Sequence, residues 1–316
     1  MKKLRLFDLH CDTLYEALRQ NRSLLTNDLG ISFDRLCEYE RFTQVLAMWS
    51  DSRIDEDTAF QRFFAARDKL ENELRSDGRV VLCRSDAELS AAESAGKNAV
   101  LLAVEGGKLL GEDIHRLDEL YLAGVRFLTL VWDKTCAIGG AHDTDVGLYD
   151  FGKNVVGRCF ELGVIPDVSH ASEKMCGEVI GLARDAGKVC IATHSNSRAV
   201  CDHPRNLTDR HFCDIASLGG IVGISLAPMH LTSGYLEKCG ISDVVAHIEH
   251  YLSLGGEDAV CLGCDLDGVS RLPDGIQSVS DLEKIADALA QINYTDTLID
   301  KIFYANARNF ISLWLK

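Results

Sequence analysis

A chain of 316 residues, 47% hydrophobic and 26% charged, has the composition of a globular protein large enough for one big α/β domain or two smaller ones. With 33 Lys plus Arg against 48 Asp plus Glu, its formal charge of −15 argues against nucleic acid or an anionic membrane as main partner and suits a protein that holds cations. No apolar run is long enough to cross a bilayer, and the stretch after Met1-Lys2-Lys3 is broken by Arg5, Asp8, His10 and Asp12, so no targeting segment is expected.

Short apolar or β-branched runs alternate with longer helical patterns. The spacing predicts strands over Leu4 to Leu9, Thr43 to Trp49, Ala99 to Val104, Arg126 to Val131, Val164 to Val168, Val189 to Thr193, Gly220 to Leu226 and Ala259 to Gly263. Between them, helices are predicted over Asp57 to Arg75, Asp113 to Ala123, Phe151 to Leu162, Ser172 to Ala186, Thr208 to Leu218, Ser242 to Leu254 and Ser280 to Leu289, several opening on Ser, Thr or Asp at the cap. Arg79 to Cys83 reads as an extra, peripheral strand.

Strands alternating with helices call for parallel pairing and right-handed crossovers. Eight such units fit a closed (β/α)8 TIM barrel of ~250 residues, with additional peripheral helices and the short extra strand taking up the remainder. An open doubly wound sheet is the rival, weakened by the lack of a Gly-x-Gly-x-x-Gly turn after the first strand. Without repeats or Pro/Gly-rich linkers, residues 1–316 read as one domain. The 12 cysteines are scattered through apolar stretches, which suggests reduced, buried thiols in a cytoplasmic protein. Cys261 and Cys264 spell CxxC, but no second such pair exists, so structural core is the preferred reading.

The informative polar residues stand where the apolar runs end. His10 and Asp12 follow the first run, Glu105 the third, His170 the fifth, His194 the sixth and Asp265 the eighth. A His-x-Asp pair on an extended backbone presents both side chains to one side, where a nitrogen and an oxygen can grip one divalent cation. In a barrel all C-terminal strand ends meet at one rim, so three histidines and three carboxylates would converge. Carboxylates gathered there without cations would repel one another; two divalent ions would remove that problem, with a Glu between them as a bridge. The remaining histidines, His115, His142, His203, His211, His230, His247 and His250, fall in loops or helices and read mostly as surface or structural.

In its motifs the chain resembles the membrane (renal) dipeptidase family, peptidase family M19, a dinuclear zinc branch of the amidohydrolase-like metal-dependent hydrolases. The resemblance runs nearly end to end, through Asp8-Leu9-His10-Cys11-Asp12-Thr13, Val104-Glu105-Gly106-Gly107, Arg126-Phe127-Leu128-Thr129-Leu130, Gly147-Leu148-Tyr149-Asp150-Phe151-Gly152-Lys153, Asp167-Val168-Ser169-His170-Ala171-Ser172, Thr193-His194-Ser195-Asn196-Ser197, Pro204-Arg205-Asn206 and Gly263-Cys264-Asp265-Leu266-Asp267-Gly268. It implies a metallo-dipeptidase with two Zn2+ per chain, His10 and Asp12 on one, His170 and His194 on the other, and Glu105 with a water or hydroxide bridging them. Asp265 is implied as general acid/base, ahead of Asp267, and Arg205 as receiver of the substrate's free carboxylate. The implied reaction is attack of the hydroxide on the peptide bond of a dipeptide.

One position departs from the pattern. Many members carry a His directly after the Leu-Thr-Leu-x stretch, thought to polarise the scissile carbonyl, whereas this chain has Trp132. An indole donates one hydrogen bond but carries no charge. Either the metal stabilises the oxyanion, or His142 from the following loop reaches in. The alternatives are a related barrel acting on another small amide, lactone or ester, and a metal-binding protein without catalysis. Relatives form dimers, so a homodimer is compatible with the resemblance.

Overall fold

The computed structural model describes residues 3–316; Met1 and Lys2, the start of the basic triplet, lie outside the described residues. Eight strands form: β1 (Arg5–Cys11), β2 (Arg41–Trp49), β3 (Val80–Leu82), β4 (Asn98–Glu105), β5 (Val125–Thr129), β6 (Ile165–Asp167), β7 (Val222–Ile224) and β8 (Val260–Leu262). They pair in parallel in the order β6-β5-β4-β2-β1-β8-β7, with β3 pairing β4 off this path as the peripheral extra strand.

The run Val189 to Thr193, expected as a strand, makes only single bridges, Asp167 to Ile191 and Ala192 to Val222. Those bridges nevertheless close the ring. Val168 N donates to Ile191 O (2.8 Å), Ile191 N to Pro166 O (3.0 Å), and Gly223 N to Ala192 O (2.9 Å). The segment therefore occupies the eighth position of a (β/α)8 barrel, and its ladder is cut short because β6 and β7 on either side are only three residues long.

Strand periodicity builds two apolar layers. Phe7, Leu9, Val45, Ala47, Leu101, Ala103, Phe127, Ile165, Val189, Ile191, Ile221 and Cys261 belong to one buried cluster that fills the barrel. Alternate residues such as Leu6, Leu46, Leu102, Leu128, Val168 and Val222 pack outward under the helices. Cys261 and Cys264 fall in different clusters, on opposite sides of the sheet.

The expected helices form within a few residues of their predicted limits. Ser172, for instance, caps Glu173–Ala186 by accepting from Met175 N, and Thr208 caps Asp209–Ser217 by accepting from His211 N. Unforeseen are Thr13–Arg19, Asp86–Ser94, and the C-terminal run Asp296–Asp300, Lys301–Ala305 and Asn306–Trp314. That last helix closes the barrel's N-terminal mouth. Phe310, Ile311 and Leu315 join the inner cluster, Asn306 Nδ2 donates to Val260 O (2.8 Å), and Leu315 O accepts from Asp86 N (2.6 Å). Among the described residues, no helix is long and apolar enough to cross a membrane.

Candidate metal centre

At the opposite mouth the inward positions turn polar. On β4 the alternation Leu101, Ala103, Glu105 carries the carboxylate straight into the barrel. On β1 the period is broken: Asp8 pairs with Gln44, but Cys11 pairs with Leu46, so one extra residue is inserted between them. The bulge moves Cys11 to the outer layer, beyond the inward Phe7 and Leu9, and re-aims His10 and Asp12 at the site. The i, i+2 pairing of these two thus rests on an irregularity that the sequence pattern does not display.

His170 and Asp265 each leave a strand end with positive φ, 68° and 60°. Non-glycine residues occupy this region sparingly, and a strained backbone at two converging positions marks a functional site. Gly268 makes room beside them: a Cβ there would lie 2.2 Å from Asp265 Oδ1 and 2.3 Å from Asp12 Oδ2.

All six residues from the strand ends converge. Glu105 Oε1 lies 3.0 Å from His170 Nε2, 3.3 Å from His194 Nε2 and 3.7 Å from His10 Nε2. His10 Nε2 is also 3.7 Å from Asp12 Oδ2. His10, Glu105 and His194 can share one ion, and so can His10, Asp12 and Asp265.

The electrostatics fit cations. Burial raises the pKa of the Glu105 and Asp265 carboxyls, and the neighbouring Asp12 raises both further. Burial alone would lower that of His10, yet Glu105, Asp12 and Asp265 lift it to about 10, so these carboxylates call for positive charge at that point. Burial holds His170 and His194 well below the ordinary value, and their Nε2 atoms approach to 3.0 Å. Buried His10 Nε2 and Asp12 Oδ1 have no hydrogen-bond partner. An all-nitrogen-and-oxygen donor set with unpartnered atoms and opposed neutral imidazoles is what divalent ions of the zinc type would satisfy.

A cavity of about 630 Å3 opens above these groups, lined among others by Asp12, Glu105, His170 and Asp265. Arg205 forms one wall. It is 4% exposed, donates from Nη1 to Ser195 Oγ (2.8 Å) and from Nη2 to His194 O (2.9 Å), and leaves Nε without a partner. Around it stand His142, His203 and His230, all lowered by burial and by its charge, His142 to about 4. This is a cationic group among neutral rings, suited to an anion. Trp132 forms another wall, its ring 4.6 Å from Trp49 and 6.1 Å from His170; Trp49 in turn meets Tyr15 edge-on at 5.1 Å. Asp267 also reaches the cavity, but its carboxylate accepts from Gly30 N (2.7 Å) and Thr13 Oγ1.

His203 and His230 were expected mostly at the surface or in structural roles; they belong to the cavity wall, as do Tyr15 and Trp49. No periodic signal marks these two histidines, since His203 lies in a loop and His230 in the one-turn helix Pro228–Leu231. Trp49, an aromatic closing a strand run, was the available clue.

The membrane dipeptidase (peptidase family M19) family model matches residues 1–312. A metallo peptidase of family M19 described as dipeptidase AC superposes with a TM-score of 0.91 at 27% identity, over 99% of each chain. A metallo peptidase from Rhodobacter sphaeroides, liganded with a phosphinate mimic of the dipeptide L-Ala-D-Ala, does so at 0.90 and 25% identity, over 100% of each chain. Dipeptidase 3 of Homo sapiens is 27% identical over 324 residues, 97% of this chain, and the chain spans 64% of that protein's length.

Proposed function

We propose, on the premise that this chain belongs to the membrane dipeptidase family, peptidase family M19, that it is a dinuclear zinc dipeptidase. His10 and Asp12 would hold one ion, His170 and His194 the other, and Glu105 both. When bound, the pair would polarise a carbonyl as Lewis acids and lower the pKa of a water between them towards neutrality.

Asp265 takes the proton of the attacking water and delivers it to the leaving amine. Its raised pKa, caused by burial and then by Asp12, suits a group that must accept and release a proton near neutral pH. Arg205, pinned along one edge by Ser195 and the His194 carbonyl, turns its remaining N–H groups to the substrate's terminal carboxylate. His142 presents a neutral imidazole, a polar contact for the substrate, and Trp132 with Trp49 shapes the wall above His170. The twelve unpaired cysteines support placing this chemistry in a reducing compartment such as the cytoplasm.

The observation that carries the reading is the approach of three imidazole Nε2 atoms to one oxygen of Glu105, within 3.0–3.7 Å, where Glu105 lines a cavity together with His170, Asp265 and Arg205. The dipeptide mimic in the Rhodobacter sphaeroides relative supports the substrate class. Metal analysis combined with a panel of L,L and L,D dipeptides, lactones and phosphotriesters tests it. Two zinc equivalents and turnover of dipeptides alone are expected; hydrolysis confined to lactones or phosphotriesters, or of nothing, overturns it.

A further inference from the structure

Beneath the metal centre lies a hydrogen-bond relay that no step above uses. Asp167, fully buried, is surrounded by four donors. Its Oδ1 accepts from Ser169 N and Thr193 N, both at 2.9 Å, and its Oδ2 accepts from Thr129 Oγ1 and Thr193 Oγ1, both at 2.5 Å. With four donors aimed at two oxygens, this carboxyl acts only as an acceptor.

That fixes the Thr193 hydroxyl. It owns one proton and two lone pairs, and the proton goes to Asp167. Its lone pairs face His194 Nδ1 at 2.8 Å and His10 Nδ1 at 3.3 Å. Both imidazoles must therefore carry their hydrogen on Nδ1 and turn Nε2 towards Glu105. The two rings lie stacked above the hydroxyl, 3.7 Å apart with 29° between their planes. The backbone below is closely packed on glycines: a Cβ at Gly223 or Gly263 would fall 2.0 or 1.7 Å from Thr193 O. His170 stands outside this relay, with its Nδ1 3.4 Å from Asp133 Oδ1 instead.

We propose that Thr193, anchored by Asp167, is a positioning residue common to the two metal sites, its single hydroxyl setting the tautomer of one histidine ligand in each. The inference rests on the metal-ligand roles proposed above. Partners behind a metal-bound histidine hold its tautomer and orientation. Here one hydroxyl does so twice, so the sites weaken together when it is lost.

Thr193→Val removes the hydroxyl at nearly constant shape, and Thr193→Ser keeps it. Zinc titration of the metal-free full chain against a competing chromophoric chelator reads both binding steps. The Val variant should weaken both by about 10- to 100-fold, while the Ser variant holds each within about threefold of wild type. Nitrogen NMR of the imidazoles in zinc-loaded wild type, which depends on no variant folding, should show Nδ1 protonated in His10 and His194 alike. Weakening of one step only, of neither step, or a hydrogen on Nε2 of either ring overturns the proposal. Wild type that binds two zinc ions and shows these tautomers but cleaves no dipeptide sinks the dipeptidase reading and leaves this one intact; wild type that binds no zinc sinks both.

Discussion

The two ends of the barrel are made from the same strands and behave as opposites. At the floor, Phe7, Leu101, Phe127 and Ile191 point inward and share one apolar cluster with Phe310 and Ile311. A few residues further along, the inward positions are His10, Glu105, Asp167 and Thr193, every one buried. Each large side chain buried at the floor contributes about 1.5–3 kcal/mol, whereas carboxylates buried together at the rim oppose folding until something compensates them. The contrast teaches where stability and chemistry are stored in this barrel: one layer holds the fold so that the next can be electrostatically unfavourable.

The sharpest way to break the contrast is at Glu105. Glu105→Gln should lower kcat/KM for dipeptides by about a thousandfold or more, since it removes the charge that both proposed sites would share, yet leave the metal-free melting temperature unchanged or raised. Steady-state kinetics and calorimetry read this, and a clear drop in metal-free stability would contradict it. The converse is Phe310→Ala, which should cost about 3–5 kcal/mol in denaturant titration while the folded fraction keeps its zinc content; loss of zinc at unchanged stability would blur the two regions.

Arg205→Ala should cost about 2–3 kcal/mol in kcat/KM on dipeptides, or roughly a hundredfold, and little on a substrate without a free carboxylate. Equal losses on both substrates would remove Arg205 from that role.

The smallest effect comes from a buried imidazole outside both regions. His247 Nδ1 accepts from Ser197 N at 3.0 Å, its Nε2 faces Leu231 O at 3.0 Å, and burial lowers its pKa to about 4. Between its unfolded pKa of about 6.5 and the folded value, only the unfolded chain takes up the proton. Its stabilisation is therefore complete above the unfolded value and declines as pH falls, by about 1 kcal/mol from pH 7 to 5.5. Urea midpoints for His247→Gln should fall less over that interval than those of wild type; parallel slopes would show that this histidine carries none of the pH dependence.

Much of the rim was legible because it obeys position rather than periodicity: polar residues that end apolar runs meet when the strands form a barrel. The resemblance to a known family assigned their roles. The bulge in β1 was not legible, since a one-residue insertion leaves the composition of Leu6 to Asp12 unchanged and shows only in pairing with β2. His142 and His203 come from loops and His230 from the one-turn helix Pro228–Leu231, whose placement depends on tertiary contacts. His142, for example, is placed by its backbone N–H donating to His170 O at 2.8 Å. The shortened ladder at Val189 to Thr193 is not legible for a related reason, because strand length is set by the neighbours a segment finds. The helix Asn306–Trp314 lies outside the predicted elements although Phe310, Ile311, Trp314 and Leu315 give it an apolar face.

That terminal helix has a consequence for biosynthesis. Phe310, Ile311 and Leu315 plug a mouth framed by strands drawn from nearly the whole chain. Synthesis therefore supplies every candidate ligand well before Phe310, Ile311 and Leu315, the residues that fill the mouth beneath them. A chain cut near residue 300 would keep its full complement of candidate metal-binding groups and lose the apolar residues packed beneath them.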